Sequence, residues 1–399
     1  MKIWMACETL IEGCAPNVTV LEINSSLKRQ NNEVLLFCPT TQRQYASNVD
    51  SDIYFVPTLN IRWLREVTFQ FFLILSMLFQ GLKSRPHWIY TRPVITMVSP
   101  AIVANIFRIP HILHLSGDPL DQLREQNAGC FLISLYKIVE RVNCKLSRRV
   151  IVETYNNKIN YEQRHRLPSD KVLAIPNGAN TELFEPREAE EARGQIGIDS
   201  DCLCIGVVGN LSPHEGVEYL LEAAAIIIRE IPEARFLIVG DGEMKDQLVE
   251  LARKSAAPDR FTFAGRVPYE TVPLYIASMD VCVVPRNKAR YERMGISSLK
   301  LREYFACGRP VVGSDISGVG DVLREANAGI AVTPENIPEF AQAIMSLLRD
   351  KALREEMGKN GRSFISEHMS WENTARKIIE AYENVMRKEP VESTSPDDN

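Results

Sequence analysis

The chain predicts an α/β protein made of two doubly wound domains, and three observations carry that expectation. Short apolar runs alternate with helical patterns, the combination that builds a parallel sheet covered on both faces. The alternation breaks at a turn-rich segment, PNGANTELFEP at residues 176–186, and then begins again. The length of 399 residues favours two domains or more.

Taken in order, residues 2–7 read as a strand, 17–31 as a helix and 34–38 as a strand. Residues 88–90, 111–115 and 149–153 read as further short strands, 155–166 as a helix, and 172–175 ends this half. The pattern restarts with a strand at 203–209, a helix at 216–231 and a strand at 235–239. Helix 244–255, strand 261–264, helix 272–278 and strand 281–284 follow. Two Rossmann-like domains are expected, at residues 1–178 and 179–370, with 176–186 as the hinge. A helix at 371–387 is expected to pack back toward the first domain, and the polar tail 388–399 to be disordered. In open sheets of this kind ligands bind at the carboxyl ends of the strands, so a cleft between two such sheets is the expected site.

Composition narrows the partners. A net charge of −5 gives no reason to expect nucleic acid. The nine cysteines form no CxxC pair of the metal-binding type, and they read as reduced thiols of a cytoplasmic protein. Residues 1–5 run straight into a strand, so no secretory leader is expected. Residues 67–79 (VTFQFFLILSMLF) are apolar but only thirteen long, whereas a span needs about 20. Arg62, Arg65, Lys83 and Arg85 flank this stretch. It reads either as a buried helix or as a helix lying on an anionic membrane surface, which would make the protein peripheral at the inner face of the cell membrane.

Residues 295–312 (GISSLKLREYFACGRPVV) carry the clearest chemistry. A small-residue turn at 295–298 feeds a helix at 299–306, which Gly308 and Pro310 stop. A turn entering a helix presents free amide groups and the positive end of the helix dipole, which suits a phosphate. Glu303 lies just over one turn in, close enough to accept hydrogen bonds from a sugar hydroxyl of the same ligand. The pair points to a nucleotide-sugar site.

Seven segments in order carry a resemblance: IPNGANTELFEP (175–186), VVGNLSPHEGVEYLLEAAA (207–225), IVGDG (238–242), FAGRV (263–267), DVCVVP (280–285), residues 298–312, and SWEN (370–373). Along nearly its whole length the chain resembles the retaining glycosyltransferases of family 4, the group 1 enzymes with the GT-B fold. That resemblance implies a nucleotide-diphospho-sugar donor held by the second domain, a glycan or lipid-linked acceptor held by the first, and retention at the anomeric carbon. It implies neither metal nor cofactor, with protein cations and helix dipoles stabilising the diphosphate. Glu303 matches the second glutamate of the family's Glu-x7-Glu motif, expected on the donor ribose. Ser297, Ser298 and Leu299 match the backbone that meets the diphosphate. Arg266 and Val267 match the segment whose main chain pairs with the base, and Gly240 and Gly242 form a turn beside it. Gly13 matches a glycine that lets backbone approach the donor phosphates.

Four positions depart from the pattern. The first glutamate of the motif falls at Gly295. The Arg and Lys that clamp the diphosphate fall at Asn210 and Glu215, and a carboxylate near a diphosphate repels it. An acceptor-loop histidine falls at Ser116. The run RNKARYER, with Arg286, Lys288, Arg290 and Arg293, together with Lys300, is the expected replacement source of positive charge, as a lid over the donor. A subset of the family shares S-x-L-K-L-x-E-Y and lacks that histidine. Its acceptors are often lipid-linked or envelope polysaccharide intermediates. In the first domain, Arg92 is expected to point toward the cleft rim, Asp118 to contact the acceptor, and His114 to be a core residue. The competing reading is a catalytically silent homologue acting as a binding or scaffolding partner, on the evidence of Asn210, Glu215 and Gly295.

Overall fold

The computed structural model describes residues 1–8, 15–45, 52–61, 64–93, 97–125, 128–291 and 295–388. Gly13, Arg293 and the tail from residue 389 lie outside the described residues, as does the side chain of Arg290. The chain divides into two compact units. Unit 1 comprises Met1–Val152, Lys158–Ile175 and the chain from Thr374 on; unit 2 comprises Glu153–Asn157 and Pro176–Asn373.

Unit 1 runs β1 (Lys2–Ala6), α1 (Ala15–Arg29), β2 (Glu33–Pro39), β3 (Asp52–Val56), α2 (Arg65–Lys83), β4 (Trp88–Thr91) and α3 (Ser99–Phe107). It continues with β5 (His111–Leu115), α4 (Pro119–Glu125), α5 (Cys130–Leu146), β6 (Arg149–Val152), α6 (Tyr155–His165) and β7 (Val172–Ala174). Its strands form one parallel sheet in the order β3-β2-β1-β4-β5-β6-β7. The central strands are apolar on both faces because helices cover both sides: every residue of β4, β5 and β6 is buried.

Unit 2 runs α7 (Ala189–Ile196), β8 (Leu203–Val208), α8 (Val217–Glu230), β9 (Ala234–Val239), α9 (Lys245–Lys254), β10 (Phe261–Gly265), α10 (Val272–Ala277) and β11 (Val281–Val284). Then come α11 (Lys288–Tyr291), α12 (Leu299–Ala306), β12 (Val311–Ser314), α13 (Gly320–Ala326), β13 (Gly329–Val332), α14 (Ile337–Arg349) and α15 (Lys351–His368). The sheet order is β10-β9-β8-β11-β12-β13, again parallel throughout. One apolar core lies on each side of it. The doubly wound expectation therefore holds for both units. The last helix, α16 (Trp371–Lys388), leaves unit 2 and counts with unit 1, where Tyr382 stacks on Trp88 at a centroid distance of 5.3 Å.

Strand order reverses beside the first strand of each sheet, which is where such sheets open a crevice for ligands. In unit 2 that point lies between β8 and β11. The loops leaving these two strands touch there. Gly216 adopts φ 64°, and a Cβ on it would sit 1.6 Å from the Pro285 carbonyl oxygen. Only glycine meets both demands. Gly216→Ala should therefore cost about 2 kcal/mol or more in stability, from left-handed strain plus displaced backbone; urea denaturation of the two proteins measures it.

Candidate functional site

At the switch point of unit 2 the structure gathers Glu215, Arg286 and Lys300. Glu215 ends a short helical turn after β8, Arg286 follows β11, and Lys300 lies in the first turn of α12. Glu215 Oε1 accepts from Arg286 Nη1, and Glu215 Oε2 accepts from Lys300 Nζ at 2.5 Å. All three side chains are nearly buried, at 11% exposure or less. Arg286 also donates to the Tyr291 hydroxyl at 3.0 Å, and its guanidinium lies 5.2 Å from that ring. Its carbonyl accepts from Ser314 Oγ at 2.7 Å, so the segment after β11 is fastened on both sides.

This arrangement corrects the repulsion expected of Glu215. Standing alone it would oppose a phosphate; here it is the shared counter-ion of two cations. Burial pushes its carboxyl pKa up, but Lys300 and then Arg286 outweigh burial, and the net direction is down. Burial is also the main influence on Lys300, whose pKa is lowered despite the opposing pull of Glu215. The Lys300 ammonium reaches Gly209 at the end of β8, where a Cβ would lie 2.9 Å from Nζ. Arg286 is likewise not on an open loop: it is buried, and Lys288–Tyr291 form a helical turn.

The head of α12 is built tightly. Ser298 is its N-cap, with the side chain accepting from Leu301 N. Ser297 Oγ accepts from Asn177 N at 3.0 Å. Arg302, buried one turn in, donates to the Ser298 carbonyl at 2.7 Å; burial lowers its pKa to about 10. The Tyr304 hydroxyl accepts from Val208 N at 2.7 Å and so ties α12 to the end of β8. Glu303 is half-buried and accepts from the Tyr269 hydroxyl at 3.2 Å. Val267 packs on the core beside Tyr269, and Arg266 before it is exposed. Gly240 adopts φ 137°, with the Gly209 carbonyl oxygen 1.8 Å from where its Cβ would be, so the turns after β8 and β9 lie against each other. Gly242 N bonds Asp241 Oδ1 at 2.9 Å in that turn, and Asn210 is exposed next to it. Lys300, Arg286, Glu303, Ser297, Ser298 and Leu299 thus surround one helix head. Sequence reasoning did not name Tyr269, Tyr291, Arg302 or Tyr304; Tyr304 alone had a signal, as the final residue of the S-x-L-K-L-x-E-Y motif.

Unit 1 treats its expected residues differently. Arg92 does not reach outward: it is 5% exposed, and Nη1 lies 3.1 Å from His114 Nε2. His114 is buried as expected, 2.6 Å from the Tyr90 hydroxyl, and burial, then Arg92, holds its pKa well below the usual histidine range. Asp118 is also buried. It is ion-paired with Arg164, and its Oδ1 accepts from Leu120 N at 3.1 Å. Its carboxylate thus fastens the start of α4 to α6. Ser116 and Gly117 before it are half-buried.

Residues 188–364 match the family "Glycosyl transferases group 1" and residues 16–183 match "Glycosyltransferase Family 4". The chain belongs to these glycosyltransferases. Among curated relatives, the alpha-D-kanosaminyltransferase of Streptomyces kanamyceticus is 31% identical over 56% of this chain and 57% of its own length. The D-inositol 3-phosphate glycosyltransferase of Rhodococcus jostii is 27% identical over 59% of this chain and 52% of its own. The chain thus matches about half the length of these relatives. Two solved structures share the fold over nearly the whole chain. Sucrose-phosphate synthase from Thermosynechococcus elongatus is 21% identical, covers 98% of this chain and 100% of its own, and has a TM-score of 0.72. HepE of Anabaena, solved with UDP-glucose, is 18% identical, covers 96% and 100%, and has a TM-score of 0.71.

Two predictions follow from the charge cluster. Glu215→Gln leaves two buried cations without a counter-charge and should cost about 3 kcal/mol or more near neutral pH, read by urea denaturation. The stabilisation from a carboxyl with a lowered folded pKa is complete above its unfolded value, about 4.3, and fades as pH falls through the folded one. The gap between wild type and Glu215→Gln should therefore narrow in acid; a constant gap down to pH 3 would contradict the pairing.

Proposed function

We propose that the protein is a retaining, metal-independent hexosyltransferase that moves a sugar from a nucleotide diphosphate to a glycan or lipid-linked acceptor, in envelope or polysaccharide synthesis. The observation that carries this reading is the cation pair Lys300–Arg286, held by Glu215 at the head of α12. Two buried cations beside the amides at the helix head form a site for a diphosphate where the usual Arg and Lys are replaced by Asn210 and Glu215. The printed names of the relatives support a sugar-transfer reaction, and HepE's complex with UDP-glucose supports a donor of that class.

In this reading the amides of Ser298 and Leu299 and the Lys300 ammonium meet the diphosphate. Glu303, held by Tyr269, accepts the ribose hydroxyls. The backbone at Arg266 and Val267 takes the base edge, with the Gly240–Gly242 turn beneath it. As the bond from the anomeric carbon to the diphosphate breaks, negative charge grows on the leaving oxygen, and Lys300 and Arg286 lie where they stabilise it. That phosphate oxygen then takes the acceptor's proton on the same face, so no separate base is needed. Gly13, Arg290 and Arg293 are further donor-side candidates. On the acceptor side Ser116 offers a hydroxyl, while Asp118 and Arg92 shape the loop through their buried partners.

Glu303→Ala should raise the donor dissociation constant about 10-fold or more, since hydrogen bonds to a charged group contribute about 1.5–3 kcal/mol. Isothermal titration with UDP and GDP checks this, and a protein that binds neither nucleotide would be a silent homologue. Donor affinity should also fall as pH rises toward the ordinary lysine value of about 10.4, because the lowered Lys300 pKa removes its charge early. In Lys300→Arg the fall should shift to higher pH; an unchanged profile would remove Lys300 from the diphosphate.

A further inference from the structure

The helix layer of unit 1 has an inverted member. α5 turns Tyr136, Glu140, Asn143 and Cys144 inward. Glu140 meets Arg164 and His165, and Asn143 Nδ2 donates to the Met97 carbonyl at 2.9 Å. Five of its apolar residues face out: Phe131 is 83% exposed and Ile138 62%, with Leu132, Leu135 and Val142 also exposed, while Ile133 and Val139 are half-buried. Helices of soluble proteins place their apolar stripe on the core. Here the stripe at 131, 135, 138 and 142 is solvent-exposed instead.

The feature extends beyond one helix. α3 packs between α2 and α5, so the three form one surface. α2 buries Phe69, Leu73 and Met77, and exposes Val67, Phe71, Leu75, Phe79 and Leu82 on its other side. α3 adds the exposed Ile106. Such a surface marks an interaction site.

Charge identifies the occupant. Lys137, Arg141 and Lys145 follow one another at four-residue spacing along one edge of the α5 stripe, and all three are exposed. Arg65 and Lys83 lie at the two ends of α2. Among the described residues of these three helices, the one exposed acidic side chain is Glu66, which pairs with Arg65. At the carboxyl end of α5, a groove of about 490 Å³ is lined by Arg141, Lys145, Gln163, Arg164, His165 and Arg166. Arg141, Lys145 and Arg166 are exposed and have no ion-pair partner among the described residues. Lys171 Nζ bonds the Lys145 carbonyl at 2.9 Å and offsets the negative end of the helix. A second copy docked face to face would bring these cations against one another. An anionic bilayer neutralises them and receives the apolar stripe.

We propose that the α2–α3–α5 face docks on an anionic membrane surface, with the α5 stripe entering the interface and the groove at its end taking a phospholipid head-group phosphate. The surface lies in unit 1 and the α12 helix head with its cation pair in unit 2, so this docking stands apart from the diphosphate cluster. It extends the sequence expectation for residues 67–79 to a three-helix surface with a phosphate groove.

The test is co-sedimentation of the full chain with phosphatidylcholine vesicles, with and without phosphatidylglycerol, at low and high salt. Binding is expected on the mixed vesicles, weakening at least 10-fold at high salt. Phe131→Ser/Ile138→Ser should abolish it, and Arg141→Glu/Lys145→Glu should reduce it at least 10-fold. Melting temperatures of both variants, taken alongside, separate lost docking from lost folding; the charge variant lies wholly on the surface and carries the test if the other is unstable. Equal binding to neutral vesicles by wild type and charge variant would overturn the proposal. So would stabilisation by inorganic phosphate without vesicle binding, or a dimer in sedimentation equilibrium that the apolar variant dissolves. UDP and GDP titrations on the same variants should be unchanged, which keeps a failure here distinct from a failure of the donor site.

Discussion

A single carboxylate organises the helix head that the functional reading rests on. Glu215 occupies a position where a cation is expected, yet two cations converge on it. The three side chains come from segments after β8, after β11 and at the start of α12, so one anion draws together the parts that border the crevice of unit 2. Two positive charges against one negative leave the group net cationic. Glu215 offsets the desolvation of both Lys300 and Arg286.

Rigidity around this cluster comes from hydroxyls and a buried arginine. Ser298 closes the first turn of α12, Arg302 grips the Ser298 carbonyl, and Tyr304 binds Val208 N from the far side. Each holds main chain, so the amides at the helix head are oriented before any anion arrives. Preorganised dipoles need little rearrangement as charge develops, which is their advantage over mobile ones.

Most of the strand framework was legible from sequence. Strands of doubly wound sheets are short, apolar and buried on both faces, and β1, β5, β8, β9 and β11 show that pattern directly. The head of α12 was legible too, because Ser298, Gly308 and Pro310 mark its ends. α5 was not, since its outward face is apolar and its inward face holds Glu140 and Asn143, the reverse of the usual periodicity. β13 reads GIAV after a left-handed Asn327, too brief a run to stand out. The buried pairings of Glu215, Asp118 and Arg92 were not legible, for one reason. Each has its partner 22 to 85 residues away, and no local pattern reveals Lys300, Arg164 or His114 as that partner.

The chain enters the long segment of unit 2 at Pro176 and leaves it after Asn373, and residues near its two ends pair side by side. Ala179 N bonds the Met369 carbonyl at 3.0 Å, Trp371 N bonds the Ala179 carbonyl at 3.2 Å, and α16 then places Tyr382 on Trp88. The first unit is therefore discontinuous in sequence. A polypeptide cut at residue 175 would lack the helix that covers Trp88, and synthesis from the amino end cannot complete that unit until the second has already emerged.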